Sequence, residues 1–194
     1  MLRPRAGDFA YTRDELAVLL LDCQQFKQCS IAGFVFGCLN ADGSLDTLSA
    51  QRVLQACKPF PVTFHRAIDV SADPMACAQQ AVELGFKRIL TSGGSATAMA
   101  GSDVIAAMQR AVGDRVVVMA ASGVDEGNAV CIAQATGVMH LHASLRVGVS
   151  SRMEHRVEAV PMGSPLESEY SLKTASKDRV LAVVAQLEKF QLDI

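Results

Sequence analysis

The chain has 194 residues, half of them apolar and a fifth charged, with 18 basic residues against 20 acidic ones. That length supports one domain with a real core, and a net charge of −2 supplies no basic field for nucleic acid or a membrane surface. No apolar run approaches the roughly 18 residues of a membrane span, and Met1-Leu2-Arg3-Pro4 is no signal peptide, so a cytoplasmic globular protein is expected.

In chain order, Met1 to Pro4 reads as a short strand stub. Thr12-Arg13-Asp14-Glu15 then fits a capping box, hydroxyl and carboxylate each satisfying a free backbone N–H. Behind it Leu16, Leu19, Leu20, Cys23 and Phe26 recur at helical spacing. Gly33-Phe34-Val35-Phe36-Gly37 reads as a buried strand followed by the Asp42-Gly43 turn. A helix is predicted from about Asp46 to Cys57 with Leu48, Val53, Leu54 and Cys57 inward. Pro61 to His65 is a strand, and Asp73-Pro74 opens a helix that Gly85 closes. Arg88 to Thr91 is a strand, Asp103 to Val112 a helix ended by Gly113, and Val116 to Met119 a strand. Asp125 is expected to cap a helix stopped by Gly137, and Val138 to His142 is the last strand. About 30 residues without periodicity follow, containing Pro161, Gly163 and Pro165, and read as a functional loop. A final helix is expected to bury Val180, Leu181, Val184 and Leu187.

Strands that alternate with helices every 23 to 30 residues imply a parallel sheet, in a barrel or an open doubly wound fold. The six cysteines, Cys23, Cys29, Cys38, Cys57, Cys77 and Cys131, show neither C-x-x-C nor finger spacing and mostly sit on apolar stripes. They read as reduced and structural, with a soft-metal role left open.

In parallel α/β folds ligands gather at the C-terminal strand ends. Those ends carry Arg3, Arg5 and Asp8; Gly37-Cys38; His65-Arg66 with Asp69; Thr91-Ser92-Gly93; Ser122-Gly123; and His142 with Ser144. Thr63 and His65 share a strand face, so His65 is a general acid or base or a hydrogen-bonded core histidine. Arg66 and Asp69 form either part of a catalytic group with His65 or an ion pair that only orders the next loop. His140 and His142 also share a face, which makes half a metal site but supplies no further ligands. Arg146, Arg152 and Arg156 add positive charge. There is no G-x-G-x-x-G, Walker loop or nucleophile elbow, which excludes the usual dinucleotide, NTP and α/β-hydrolase chemistries.

With these residues laid out, the chain resembles the CutC copper homeostasis family. The resemblance is carried by Arg3-Pro4-Arg5-Ala6-Gly7-Asp8-Phe9, by Gly33 to Gly37 with Asp42-Gly43, by Val62-Thr63-Phe64-His65-Arg66-Ala67-Ile68-Asp69 and by Leu90-Thr91-Ser92-Gly93. His142-x-Ser144, Met162-Gly163 and Glu169-Tyr170-Ser171 extend it. Departures are Ala6 for a usual glycine, His140 for a usual acidic residue, and Ala120-Ala121 before Ser122-Gly123. The resemblance implies a TIM-type barrel, a cytoplasmic homo-oligomer and copper handling, with Cu(I) as the metal. The family's proposed cysteine ligands lie in about two βα units ahead of the Arg-Pro-Arg segment, so none is carried over. Cys38 is the one cysteine placed near a strand end, a weak metal candidate. The rival reading is a TIM-barrel enzyme or binder for a small anionic metabolite, a phosphate or carboxylate. In it His65 is acid or base, Arg3, Arg5 and Arg66 hold the anion, and Ser122-Gly123 and Ser144 cradle it.

The fold expected is therefore an α/β, TIM-type (βα) barrel, N-terminally incomplete, with about six parallel strands alternating with helices in a single partial-barrel domain over 1–194. Eight strands close such a barrel. An open arc is expected, edged by the Met1 and Leu141 strands and with Val35 and Val117 wetted, a shortened chain being the simplest explanation. The alternative is a genuine six-stranded fold sealed by the Ser144 to Ser171 loop.

Overall fold

The computed structural model describes residues 1–157, 159–160 and 170–192. Five parallel strands, β1 (Phe34–Phe36), β2 (Val62–Phe64), β3 (Arg88–Thr91), β4 (Val117–Ala121) and β5 (His140–His142), form one sheet in chain order. Helices alternate with them: α1 (Arg13–Phe26), α2 (Thr47–Cys57), α3 (Pro74–Leu84), α4 (Ser102–Val112), α5 (Ala129–Thr136) and α6 (Lys177–Leu192). Each helix packs on the next, α1 on α2 through to α5 on α6, as consecutive βα units in a parallel sheet place them.

Register and the two-residue period build the core. Phe36 pairs with Phe64, Phe64 with Ile89, and Ile89 with Val118. This row is sealed under Leu19, Val53 and Ile105 of the helices. On the opposite face Val35, Thr63, Leu90 and Met119 are only half-buried. Among the described residues no ladder joins β5 to the N-terminal segment, so the sheet is an arc whose concave face is partly wet, Val35 and Val117 included.

The expected sixth strand reduces to one backbone bond, from Leu2 N–H to Val35 C=O (2.8 Å). Leu2 is fully buried, but Pro4 has no N–H to extend a ladder. The sheet therefore has five strands where about six were expected.

Local signals set the helix ends. Thr12 and Glu15 make the reciprocal capping box. Asp46 caps α2, and Asp73 with Pro74 starts α3. Gly85 and Gly137 take the left-handed conformation at their helix ends. Four expectations are corrected. Asp125 does not cap α5: its backbone N–H donates to Asn128 Oδ1, and the helix starts at Ala129. Leu48 is exposed in the first turn of α2, where Ala50, Val53 and Cys57 face inward. In α6 the buried residue is Val183, with Leu187 packed beside it, while Val180, Leu181 and Val184 face outward. The region read as a loop contains an antiparallel hairpin, β6 (Arg146–Ser150) with β7 (Ser171–Ala175). Pro161, Met162, Gly163, Pro165 and Glu169 lie outside the described residues.

Candidate functional site: a basic cleft at the strand ends

The chain leaves β2 through His65 into a 3₁₀ turn, Arg66–Val70, which turns the side chains of residues 65 and 66 into different surroundings. His65 is buried, stacked on Phe9 with ring centroids 4.8 Å apart. Its Nδ1 accepts from Ala67 N–H (3.2 Å), so the neutral ring carries its proton on Nε2. That Nε2 has no partner among the described residues, nor have the buried Arg3 Nε and Tyr11 Oη. Burial, with the Arg3 guanidinium adding repulsion, lowers the His65 pKa to about 4. Gly37 makes room for the ring: a Cβ there would sit 2.5 Å from Nδ1.

Asp69 is an anchor. Its carboxylate, only 4 % exposed, accepts from Thr91 Oγ1 (2.6 Å), Ser92 N–H (2.9 Å), Ser92 Oγ (3.0 Å) and Gly94 N–H (3.2 Å). Arg66 Nε closes the set at 2.7 Å. The loop after β3 is thus tied to the turn after β2. Gly93 is required in this loop, at φ +68°, because a Cβ would strike Gly101 C=O at 2.3 Å.

Held by Asp69, Arg66 crosses the sheet edge and donates to Ser92 Oγ (2.8 Å) and Ser122 Oγ (3.4 Å). Ser122, at the end of β4, has φ +81°, a conformation that costs a non-glycine residue free energy and concentrates at ligand sites. Beyond it opens a cleft of about 430 Å³ lined by Arg66, Ser122, Gly123, His142, Ser144, Arg146 and Arg179, with Asp125 the sole carboxylate among its lining residues. Arg179 reaches in from α6, fixed by Glu126 (2.8 and 3.0 Å). That ion pair pulls the Glu126 pKa down.

The residues singled out in the sequence therefore divide. Arg66, Ser122, Gly123, His142 and Ser144 meet at the cleft, with Asp69, Thr91, Ser92 and Gly93 as its supporting loop. Arg3, beneath Phe9, neighbours His65. Arg5 is occupied by Glu15 (2.5 Å), Asp8 (2.8 Å) and Ala10 C=O (3.0 Å), so Arg5 and Asp8 brace the N-terminal loop. Arg5 holds the Asp8 carboxyl below its ordinary range. Arg179 and Tyr11 went unnoticed in the sequence. For Arg179 no local pattern signals the site, because it arrives by tertiary packing of α6.

The metal candidates fare differently. Cys38 is buried, its thiol donating toward Asp46 C=O at 3.4 Å and kept protonated by burial, with Asp46 adding to the effect. A buried, protonated thiol that is hydrogen-bonded to a backbone carbonyl does not fit a metal. His140 and His142 are both exposed, and no group of three or more His, Cys, Asp or Glu able to hold a metal exists among the described residues.

The CutC family model matches residues 1–147. A Parabacteroides distasonis family protein CutC is 41% identical over 185 residues, 95% of this chain and 76% of that one. The chain belongs to the CutC family. A human copper homeostasis protein cutC homolog is 39% identical over 189 residues, covering 96% of this chain and 69% of the relative. Among solved structures, a CutC copper homeostasis protein from Streptococcus agalactiae superposes with TM-score 0.69 at 32% identity, over 73% of this chain and 69% of that chain. A KDPGal structure, TM-score 0.50 at 13% identity over 94% of this chain and 67% of that one, speaks for the barrel-type fold alone. Membership in CutC fixes a copper homeostasis family and a TIM-type α/β fold. Among the described residues no helix is long and apolar enough to cross a membrane.

Proposed function

We propose that the cleft at the C-terminal strand ends binds a small anionic metabolite, a phosphate or carboxylate compound. The observation that carries this is Arg66, pinned across three strand ends by Asp69, Ser92 and Ser122 while facing a cleft with Arg146 and Arg179. A guanidinium fixed in advance loses little freedom on binding and matches an oxyanion with paired donors. Ser144 and His142 line the same cleft and supply further polar groups. The function is binding first: His65 is walled off under Phe9, so acid–base chemistry by it has no route to the cleft in this conformation.

A thermal-shift screen of phosphorylated and carboxylated metabolites, followed by calorimetry, tests the reading. Arg66→Ala is expected to weaken a hit by roughly tenfold to a hundredfold, the worth of one charged hydrogen bond. Silence across the panel, or a hit indifferent to Arg66→Ala, overturns it.

A second reading, which does not exclude the first, is that the chain handles copper as Cu(I) in the cytoplasm. The family supports it, as does a pair of buried sulfurs on α1 and α2, Cys23 and Cys57. We also propose a homo-oligomer, for which the outward Val180, Leu181 and Val184 of α6 supply apolar surface. Light scattering at micromolar concentration should give a multiple of the 20.6 kDa chain mass, and Val184→Glu with Leu181→Glu should reduce it. A monomer in the parent removes this part.

A further inference from the structure

We infer that Cys23 and Cys57 form a two-sulfur Cu(I) site between α1 and α2. The inference rests on the copper reading above and names the residues that would carry it, none of which lies at the strand-end cleft.

The two sulfurs lie 3.4 Å apart and both residues are completely buried. The spacing exceeds the roughly 2.05 Å of a disulfide, so the pair is a dithiol in hydrogen-bonding contact. Cu(I) is the soft first-row ion that thiolates select, and its filled d shell accepts two opposed sulfur ligands. At a metal–thiolate bond of roughly 2.3 Å, two opposed sulfurs stand at most about 4.6 Å apart, so the pair needs to open by about 1 Å. Both cysteines sit where a helix can yield. Cys23 is in the last turn of α1, and Cys57 is the final residue of α2. Helix ends open more readily than helix centres, which also gives the ion its way in.

Charge is the second consideration. Loading breaks two S–H bonds, forms two S–Cu bonds and sends two protons to solvent, with no change in oxidation state. The product, two thiolates around one Cu(I), carries one negative charge in a buried place, which is costly without a cation nearby. Lys27 answers that cost. Its Nζ donates to Ala56 C=O (3.0 Å) and Lys58 C=O (2.6 Å), the backbone on either side of Cys57. Without metal, burial and the Cys23 sulfur push the Cys57 thiol pKa up, and Lys27 pulls it the other way. Loading is what removes the two thiol protons, since the ion itself drives deprotonation of its thiolate ligands.

The other cysteines do not share this arrangement. Cys29 and Cys131 are exposed, Cys38 donates to a backbone carbonyl, and the buried Cys77 is hydrogen-bonded to the Ser71 side chain. The test uses the full chain carrying Cys29→Ser and Cys131→Ser, which removes the exposed thiols. Cu(I) is titrated anaerobically against the chromophoric chelator bicinchoninate. One equivalent should be withdrawn from the chelator. Affinity should fall at least a hundredfold in Cys23→Ala or Cys57→Ala and stay unchanged in Cys38→Ala. X-ray absorption at the copper edge, on the protein with its pair intact, needs no change in the core and should show two sulfur neighbours with no nitrogen or oxygen. Tight binding that survives Cys57→Ala, or a copper shell containing nitrogen, overturns the site and leaves the copper reading standing. No withdrawal of copper by the parent overturns both.

Discussion

Asp69→Ala is expected to cost about 2–4 kcal/mol of folding stability, the scale for leaving buried donors without an acceptor at roughly 1–3 kcal/mol each. The reason is the number of donors left behind. Thr91 Oγ1, the Ser92 and Gly94 N–H groups and Arg66 Nε all point at a carboxylate that is only 4 % exposed. Without it, the exposed Arg66 loses its counter-charge, which costs little, but the buried donors of the loop after β3 lose their acceptor and the loop its tie to the turn after β2. Asp69→Asn keeps the shape but turns an NH₂ toward donors, so it should also destabilise. Urea unfolding reads the effect, with Asp8→Ala as the comparison, since Asp8 is exposed. An Asp69→Ala midpoint no lower than that of Asp8→Ala would show that the carboxylate does not hold the loop.

The second large effect is a loss of stability in mild acid that passes through His65. The folded state resists protonating this ring until about pH 4, whereas the ordinary value is 6.5. Unfolding therefore takes up a proton throughout that window. The contribution of His65 is intact above pH 6.5 and drains away as pH falls toward 4, by about 3 kcal/mol in all at 1.36 kcal/mol per unit. In His65→Asn the side-chain oxygen still caps Ala67 N–H but cannot protonate in this range. Unfolding free energies measured from pH 7 to 4.5 should converge for the two proteins as the pH drops. Parallel curves would mean that His65 titrates freely in the folded protein.

Both effects concern residues visible at strand ends in the sequence, and the manner in which they were visible is instructive. The βα rhythm and the helix caps are local: Thr12 with Glu15, Asp73 with Pro74 and the left-handed Gly85 satisfy backbone groups within a few residues. So is the collection of polar residues after each strand, which brings Arg66, Asp69, Ser92 and Ser122 together in fact. What was hidden depends on neighbours distant in sequence. Whether Val183 or Val184 of α6 is the buried residue depends on what α6 packs against. Arg5 has the charge to hold an anion, yet Glu15 and Asp8 take it first. Arg179 belongs to the cleft only because α6 returns there. The hairpin carries a weak alternation, Arg146-Val147-Gly148-Val149-Ser150, but every residue of it is exposed, so burial left no periodic mark. Cys23 and Cys57 each lay on a predicted inward stripe, and only the packing of α1 on α2 brings the stripes into contact.

The single carboxylate that holds both Arg66 and the loop after β3 makes those two parts one thermodynamic system. An anion that draws Arg66 toward the cleft competes with Asp69 for the same guanidinium. Whatever Arg66 gives up on that side is felt by Ser92 and Gly94, whose N–H groups share the carboxylate. By reciprocity, the firmness of the loop sets part of the affinity. A substitution in residues 92–94 would then tune binding without touching the ligand, so selection can adjust the cleft from a loop outside its walls.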